Sequence, residues 1–145
     1  MVRRVRNASE GLSSPPSPDR PWVVAFSGGL DSCVLLHLLR FGCQFGDGLV
    51  VGHFDHAMRP CSRGDAAWAS GLARAWGLPF YSGRADDPPR SEGAARDARY
   101  QFLHRLVGQV GAGALLTAHH ADDQAETVLF RILRGTGLRG LRGIP

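Results

Sequence analysis

Three groups of residues in this chain have types and spacings suited to chemistry. The first is Phe26-Ser27-Gly28-Gly29-Leu30-Asp31-Ser32. Its two glycines let backbone N–H groups come close to an anion, and Ser27 and Ser32 add hydroxyl donors. Asp31 would repel a phosphate held there unless a cation such as Mg²⁺ lay between them. The second group is His53, Asp55 and His56, followed by Arg59. The third is His119, His120, Asp122, Asp123 and Glu126. Imidazoles and carboxylates at these spacings suit metal ligation or proton transfer. Glu126 shares a helix face with Asp122 and Asp123, and clustered carboxylates call for a cation, whether metal or amine. Plainer explanations stand beside these. Ser and Asp cap ordinary strand-to-helix turns, and first-turn acids complement the helix dipole, although that leaves Glu126 unexplained.

The elements that must position these groups follow from hydrophobic pattern. Trp22 to Phe26 reads as a first strand and Asp31 to Phe41 as a first helix. Leu49 to Phe54 is an apolar, β-rich second strand. Asp65 to Trp76 carries Ala66, Ala69, Leu72, Ala73 and Trp76 at helical spacing, with Asp65 as a candidate cap and Gly77 as its end. Leu78 to Ser82 is a third strand. Ser91 caps a third helix running to about Val110, on which Arg96, Arg99 and Tyr100 form one stripe. Ala114 to Ala118 is a fourth strand and Ala121 to Arg134 a fourth helix. Strands alternating with helices predict an α/β fold with a parallel sheet covered on both faces. Ligands of such sheets lie beyond the carboxyl ends of the strands. All three chemical groups follow strand ends, so the pattern predicts their convergence.

Composition narrows the partners. The 145 residues make one domain with 43% hydrophobic and 21% charged residues. Net charge is +4 and all 17 basic residues are arginine. Any grip on phosphate must therefore come from guanidinium forks, backbone or metal. Cys33, Cys43 and Cys61 are odd in number without a C-x-x-C pair, which argues against a disulfide or zinc scaffold and for a reducing, cytoplasmic setting. No apolar run approaches a membrane span. Residues 1 to 21, with Ser13-Ser14-Pro15-Pro16-Ser17-Pro18, read as a disordered arm. Residues 22 to 145 read as the folded domain. Arg131, Arg134, Arg139 and Arg142 alternate with glycines in a basic loop that suits a phosphate backbone.

The first loop is neither a Walker loop, which needs a lysine, nor G-x-G-x-x-G. The string S-G-G-L-D-S resembles the pyrophosphate loop of N-type ATP pyrophosphatases. Four further strings follow it in order: H-F-D-H-A-M-R (53–59), S-E-G-A-A-R-D-A-R-Y (91–100), T-A-H-H-A-D-D-Q-A-E-T (117–127) and R-G-T-G-L-R-G-L-R-G-I (134–144). Together the set resembles the tRNA(Ile)-lysidine synthetase family from about Trp22 to Pro145. The resemblance implies a Rossmann-like, adenine nucleotide α-hydrolase-like sheet of order 3-2-1-4, with a fifth strand to follow. It implies ATP and Mg²⁺ as cofactors, and tRNA(Ile) and L-lysine as partners. A homodimer is a further expectation.

The same resemblance distributes roles. Ser27, Gly28, Gly29 and Ser32 would hold the phosphates, while Asp31, with Asp123, would hold the metal. His53, Asp55 and Arg59 would line the nucleotide pocket. Asp123 and Glu126 would attract the lysine substrate, and His119 would stabilise or shuttle protons at the reacting base. Arg96 and Arg99 would face phosphate or tRNA, and Arg134 and Arg139 would bind the substrate. Alternatives are another pyrophosphatase-type tRNA thiolase or amide ligase, a dinuclear metallohydrolase, and an inactive RNA-binding remnant. Family members carry further C-terminal regions, so the chain reads as a fragment with weak tRNA binding and little lysidine formation of its own.

Overall fold

The computed structural model describes residues 14–58 and 62–118. Four parallel strands form one sheet in the order β3-β2-β1-β4. They are β1 (Trp22–Ala25), β2 (Leu49–Asp55), β3 (Phe80–Arg84) and β4 (Ala114–Leu116). Three α-helices connect them: α1 (Leu30–His37), α2 (Ser62–Ala75) and α3 (Glu92–Val110). This is the α/β architecture and strand order expected. Among the described residues no helix is long and apolar enough to cross a membrane.

The apolar runs of β1 and β2 are continuous because both sheet faces are covered. Alternation sends Trp22, Val24, Leu49 and Val51 to one face, where Leu36 of α1 and Ala69 and Ala73 of α2 pack with them. Val23 and Val50 point the other way, onto Leu103 and Leu106 of α3. Gly52 makes that second contact possible. A Cβ there would stand 2.9 Å from Leu106 Cδ2 and 3.0 Å from Leu103 Cδ2. Ser91 caps α3 by accepting from the Ala94 N–H at 3.1 Å.

Several element ends differ from expectation, each for a tertiary reason. The first helix was expected to reach Phe41, but α1 stops at His37 and a π-helical turn, Leu38–Gly42, follows. Arg40 Nε donates to the Trp76 carbonyl at 3.0 Å, and the Phe41 and Trp76 rings meet edge-on at 5.2 Å. Contacts with the end of α2 thus hold the wider turn. The third strand was expected from Leu78 to Ser82. Instead the Leu78 N–H closes α2 on the Ala73 carbonyl, and β3 runs on to Arg84, opposite Asp55. α2 begins at Ser62, so Asp65 lies in its first turn rather than at its cap. The fourth strand ends at Leu116, releasing Thr117 and Ala118 to the cleft described below.

Part of the stretch expected as a disordered arm is docked. Ser17 and Arg20 bridge in a tight turn, and the Pro21 carbonyl accepts from the Gly113 N–H at 2.8 Å. That bond ties the arm to the start of β4. Residues 1–13, the expected fourth helix at 121–134, and the expected fifth strand lie outside the described residues.

Candidate functional site

The carboxyl ends of β1, β2 and β4 open onto a cleft of about 300 Å³. Ser27, Gly29, Asp31 and Ser32 form one wall, Phe54 and His56 another, and Arg99 of α3 a third. A smaller hollow of about 150 Å³ adjoins it and shares Ser27, Phe54 and His56.

The loop after β1 is anchored from β2. The Phe26 N–H donates to the Gly52 carbonyl at 2.8 Å, and His53 Nδ1 lies 2.8 Å from the Phe26 carbonyl. A carbonyl only accepts, so Nδ1 carries the proton in this contact. The chain then turns through Gly28 at φ +85°, a conformation costly for any residue with a side chain. The turn delivers Gly29 to the N-cap of α1 without a side-chain capping bond. The first-turn N–H groups of α1 have no acceptor within the helix and lie at the cleft. A helix N-terminus behind a glycine turn is a geometry that suits an anion.

The two serines are engaged with each other. Ser32, buried, donates its hydroxyl to the Gly29 carbonyl at 2.9 Å. Its one proton is then used, so at the 3.1 Å contact Ser27 Oγ donates to Ser32 Oγ. Ser27 Oγ also accepts from the Gly29 N–H at 3.2 Å. Ser32 acts as a strut inside the turn. Ser27, at the surface, is the serine whose hydroxyl can swing to a ligand.

Of the second group, His53 and Asp55 line the smaller hollow, and Asp55 is also a hydrogen-bonding node. Its carboxylate accepts from the Ala57 N–H at 2.8 Å, from Ser62 Oγ at 3.1 Å and from the Arg84 guanidinium. Burial pushes its pKa up, but the Ala57 and Ser62 bonds and the charges of Arg84 and His53 outweigh that, and the net shift is downward. The node fixes the turn after β2, where Ala57 sits at φ +56°. It also sets His56, which lines both hollows with its ring edge-on to Phe54 at 5.1 Å. His56 was grouped with its neighbours by sequence but given no role. Burial and then the charge of Arg99 lower its pKa, Asp55 only partly offsetting them, so the ring is held neutral.

On α3, Arg99 lines the cleft, and Arg96 lies one turn earlier. Both guanidiniums sit over the Tyr100 ring, at 5.3 Å for Arg96 and 5.5 Å for Arg99. The cleft suits a nucleotide polyphosphate: bare glycine backbone, a helix N-terminus and a guanidinium face its interior. Asp31 supplies its carboxylate. Among the described residues no three His, Cys, Asp or Glu form a metal cluster. Arg59, His119, Asp123, Glu126, Arg134 and Arg139 lie outside the described residues.

Sequence reasoning missed two contributors. Thr117 joins the cleft because β4 ends early. Trp68 of α2 stacks on Phe26 at 5.9 Å and lies 3.6 Å from where a Gly28 Cβ would be. It falls off the buried stripe of its helix, and the bare Gly28 was the available signal.

Comparison with known proteins gives a family and a fold. Residues 2–145 match the PP-loop domain family. A tRNA(Ile)-lysidine synthase from Thermus thermophilus is 43% identical over 139 residues, covering 88% of this chain and 27% of that protein. One from Gloeobacter violaceus is 44% identical over 142 residues, covering 97% of this chain and 42% of that protein. One from Pseudomonas aeruginosa is 44% identical over 128 residues, covering 86% and 28%. The chain thus spans less than half the length of these relatives. The solved structure of the U34-tRNA thiolase NcsA from Methanococcus maripaludis, with its 4Fe-4S cluster, superposes with a TM-score of 0.72 at 15% identity. It covers 95% of this chain and 51% of that one, a likeness of fold.

Proposed function

The chain belongs to the PP-loop domain family, and we propose that it serves the ATP-dependent conversion of the wobble cytidine of tRNA(Ile) to lysidine. The observation that carries this reading is the Gly28-Gly29 turn, which brings bare backbone and the N-terminus of α1 to the cleft. The names of the relatives supply the substrate. In this reaction the cytidine C2 oxygen attacks the α-phosphorus of ATP, and the bond to pyrophosphate breaks. The amine of free lysine then attacks C2, loses a proton and expels AMP.

In this reading Gly28, Gly29 and Ser27 receive the phosphates and Ser32 holds the turn that presents them. Mg²⁺, held by Asp31 with Asp123, would offset charge on the departing pyrophosphate. Phe54 and His56 bound the nucleotide, and His53 keeps the loop anchored. Arg96 and Arg99 meet a phosphate of the nucleotide or of the RNA, Arg134 and Arg139 bind the RNA, Asp123 and Glu126 attract the lysine ammonium, and His119 handles protons near the base. Arg59 completes the nucleotide pocket. The target base must be splayed out of the anticodon loop, as single-stranded bases can be.

The test is ATP calorimetry, with and without Mg²⁺, on this chain and on Asp31→Ala. Mg²⁺-dependent binding lost in the variant is the expected result. A labelled-lysine assay on tRNA(Ile) follows. A folded chain that ignores ATP under both conditions would refute the reading.

A further inference from the structure

We propose that Tyr100 is a positioning residue, its ring holding Arg96 and Arg99 together as a two-fork clamp for a phosphate anion at the cleft. The inference rests on the proposed reading of that cleft. Arg96 precedes Tyr100 by four residues, so the two share a face of α3. Arg99 is its immediate neighbour and reaches the same ring from the cleft side. Two guanidiniums three residues apart repel each other and, on a bare helix, would sample many rotamers in solvent. A ring with a negative face attracts both, and a planar fork held in place loses less freedom when it binds.

A second observation points to a missing acceptor. Arg96 Nη2 is buried, and it has no hydrogen-bond partner among the described residues. A buried cationic N–H left this way is costly, and an anion entering beside Arg99 would satisfy it. The phosphate has two sources, a bound nucleotide or an RNA strand, and their shared chemistry is what the clamp recognises.

The experiment compares wild type, Tyr100→Phe and Tyr100→Leu, each checked by thermal melting. ATP–Mg²⁺ is titrated by calorimetry, and a fluorescently labelled anticodon stem-loop RNA by anisotropy. Tyr100→Phe should bind both ligands within about twofold of wild type. Tyr100→Leu should lose about five- to tenfold for the ligand whose phosphate the clamp holds. The arm that responds names the source. Fluorinated phenylalanines at position 100 keep the ring's shape while draining its face of charge, so affinity should fall with each added fluorine. That series also decides the matter if Tyr100→Leu unfolds. Unchanged affinity across the series would overturn the clamp. A folded wild type that binds neither ligand would overturn both the clamp and the reading of the cleft. ATP binding with no loss on replacing Tyr100 in either arm would overturn the clamp alone.

Discussion

His53 holds the Phe26 carbonyl: its Nδ1–H donates to that oxygen at 2.8 Å, across 27 residues of sequence and inside the protein. The contact joins the end of β2 to the first residue of the glycine loop. His53→Leu leaves the carbonyl buried without this donor and should lower stability by about 1–3 kcal/mol. His53→Asn, whose amide nitrogen takes nearly the Nδ1 position, should recover most of the loss. Urea unfolding of both variants measures this, and equal losses would contradict it.

The serine pair separates stability from binding. Ser32→Ala removes the donor to Gly29 and the acceptor for Ser27, both inside the turn. It should cost about 1 kcal/mol in unfolding. Ser27→Ala, at an exposed position, should cost less than about 0.5 kcal/mol but weaken ATP about fivefold. Melting and calorimetry on the same samples read both effects. Reversed rankings would show that Ser32 is the phosphate ligand.

The Asp55 node is asymmetric. Arg84 is 42% exposed while Asp55 is 6% exposed. Arg84→Gln should therefore cost about 1 kcal/mol or less, because the carboxylate keeps its Ala57 and Ser62 bonds. Asp55→Ala should cost about 2–4 kcal/mol, because it leaves Ser62 and the Ala57 N–H unpaired and frees the turn after β2. The folded-state pKa of Asp55 is depressed, so its stabilisation is complete above the ordinary value of 3.8 and lost as pH falls below it. Acid unfolding followed by circular dichroism should begin at higher pH in Asp55→Ala.

His56 titrates in the opposite chemical sense with the same outcome. Its folded pKa lies below 6.5, so the unfolded chain takes up the proton first. Stability is fully present above about pH 6.5 and declines as pH falls through the lower, folded value. Arg99→Gln removes one of the causes and should move the His56 pKa back toward 6.5, as followed by imidazole NMR. An unchanged value would show that Arg99 does not act on this ring.

Much of this was legible in the residues. Continuous apolar runs at Trp22 and Leu49 require strands covered on both faces. The Gly28-Gly29 pair requires a turn closely approached, and Ser91 announced the start of α3. What escaped depends on partners distant in sequence. Leu78 looks like the start of a strand, yet the Ala73 carbonyl takes its N–H. Phe41 continues a helical pattern, yet Trp76 draws it into a π-turn. The resemblance assigns Asp55 to the nucleotide pocket, and Asp55 lines the smaller hollow. Its attachment to Arg84 depends on strand register, which local pattern does not encode. Ser27 and Ser32 read alike as hydroxyl donors, and residue type alone does not reveal that the two hydroxyls bond each other.

Trp68 gives the loop an optical label of its own. The chain has three tryptophans. Trp22 is sealed in the core, and Trp76 is packed against His37 and Phe41 at the far end of α2. Trp68 is half-exposed, stacked on Phe26 and resting on the bare backbone of Gly28. Any ligand that moves the glycine turn changes the polarity around this one indole while the other two stay dark to the event. A shift in its emission during a rapid-mixing experiment would therefore time the arrival of a nucleotide without any added probe.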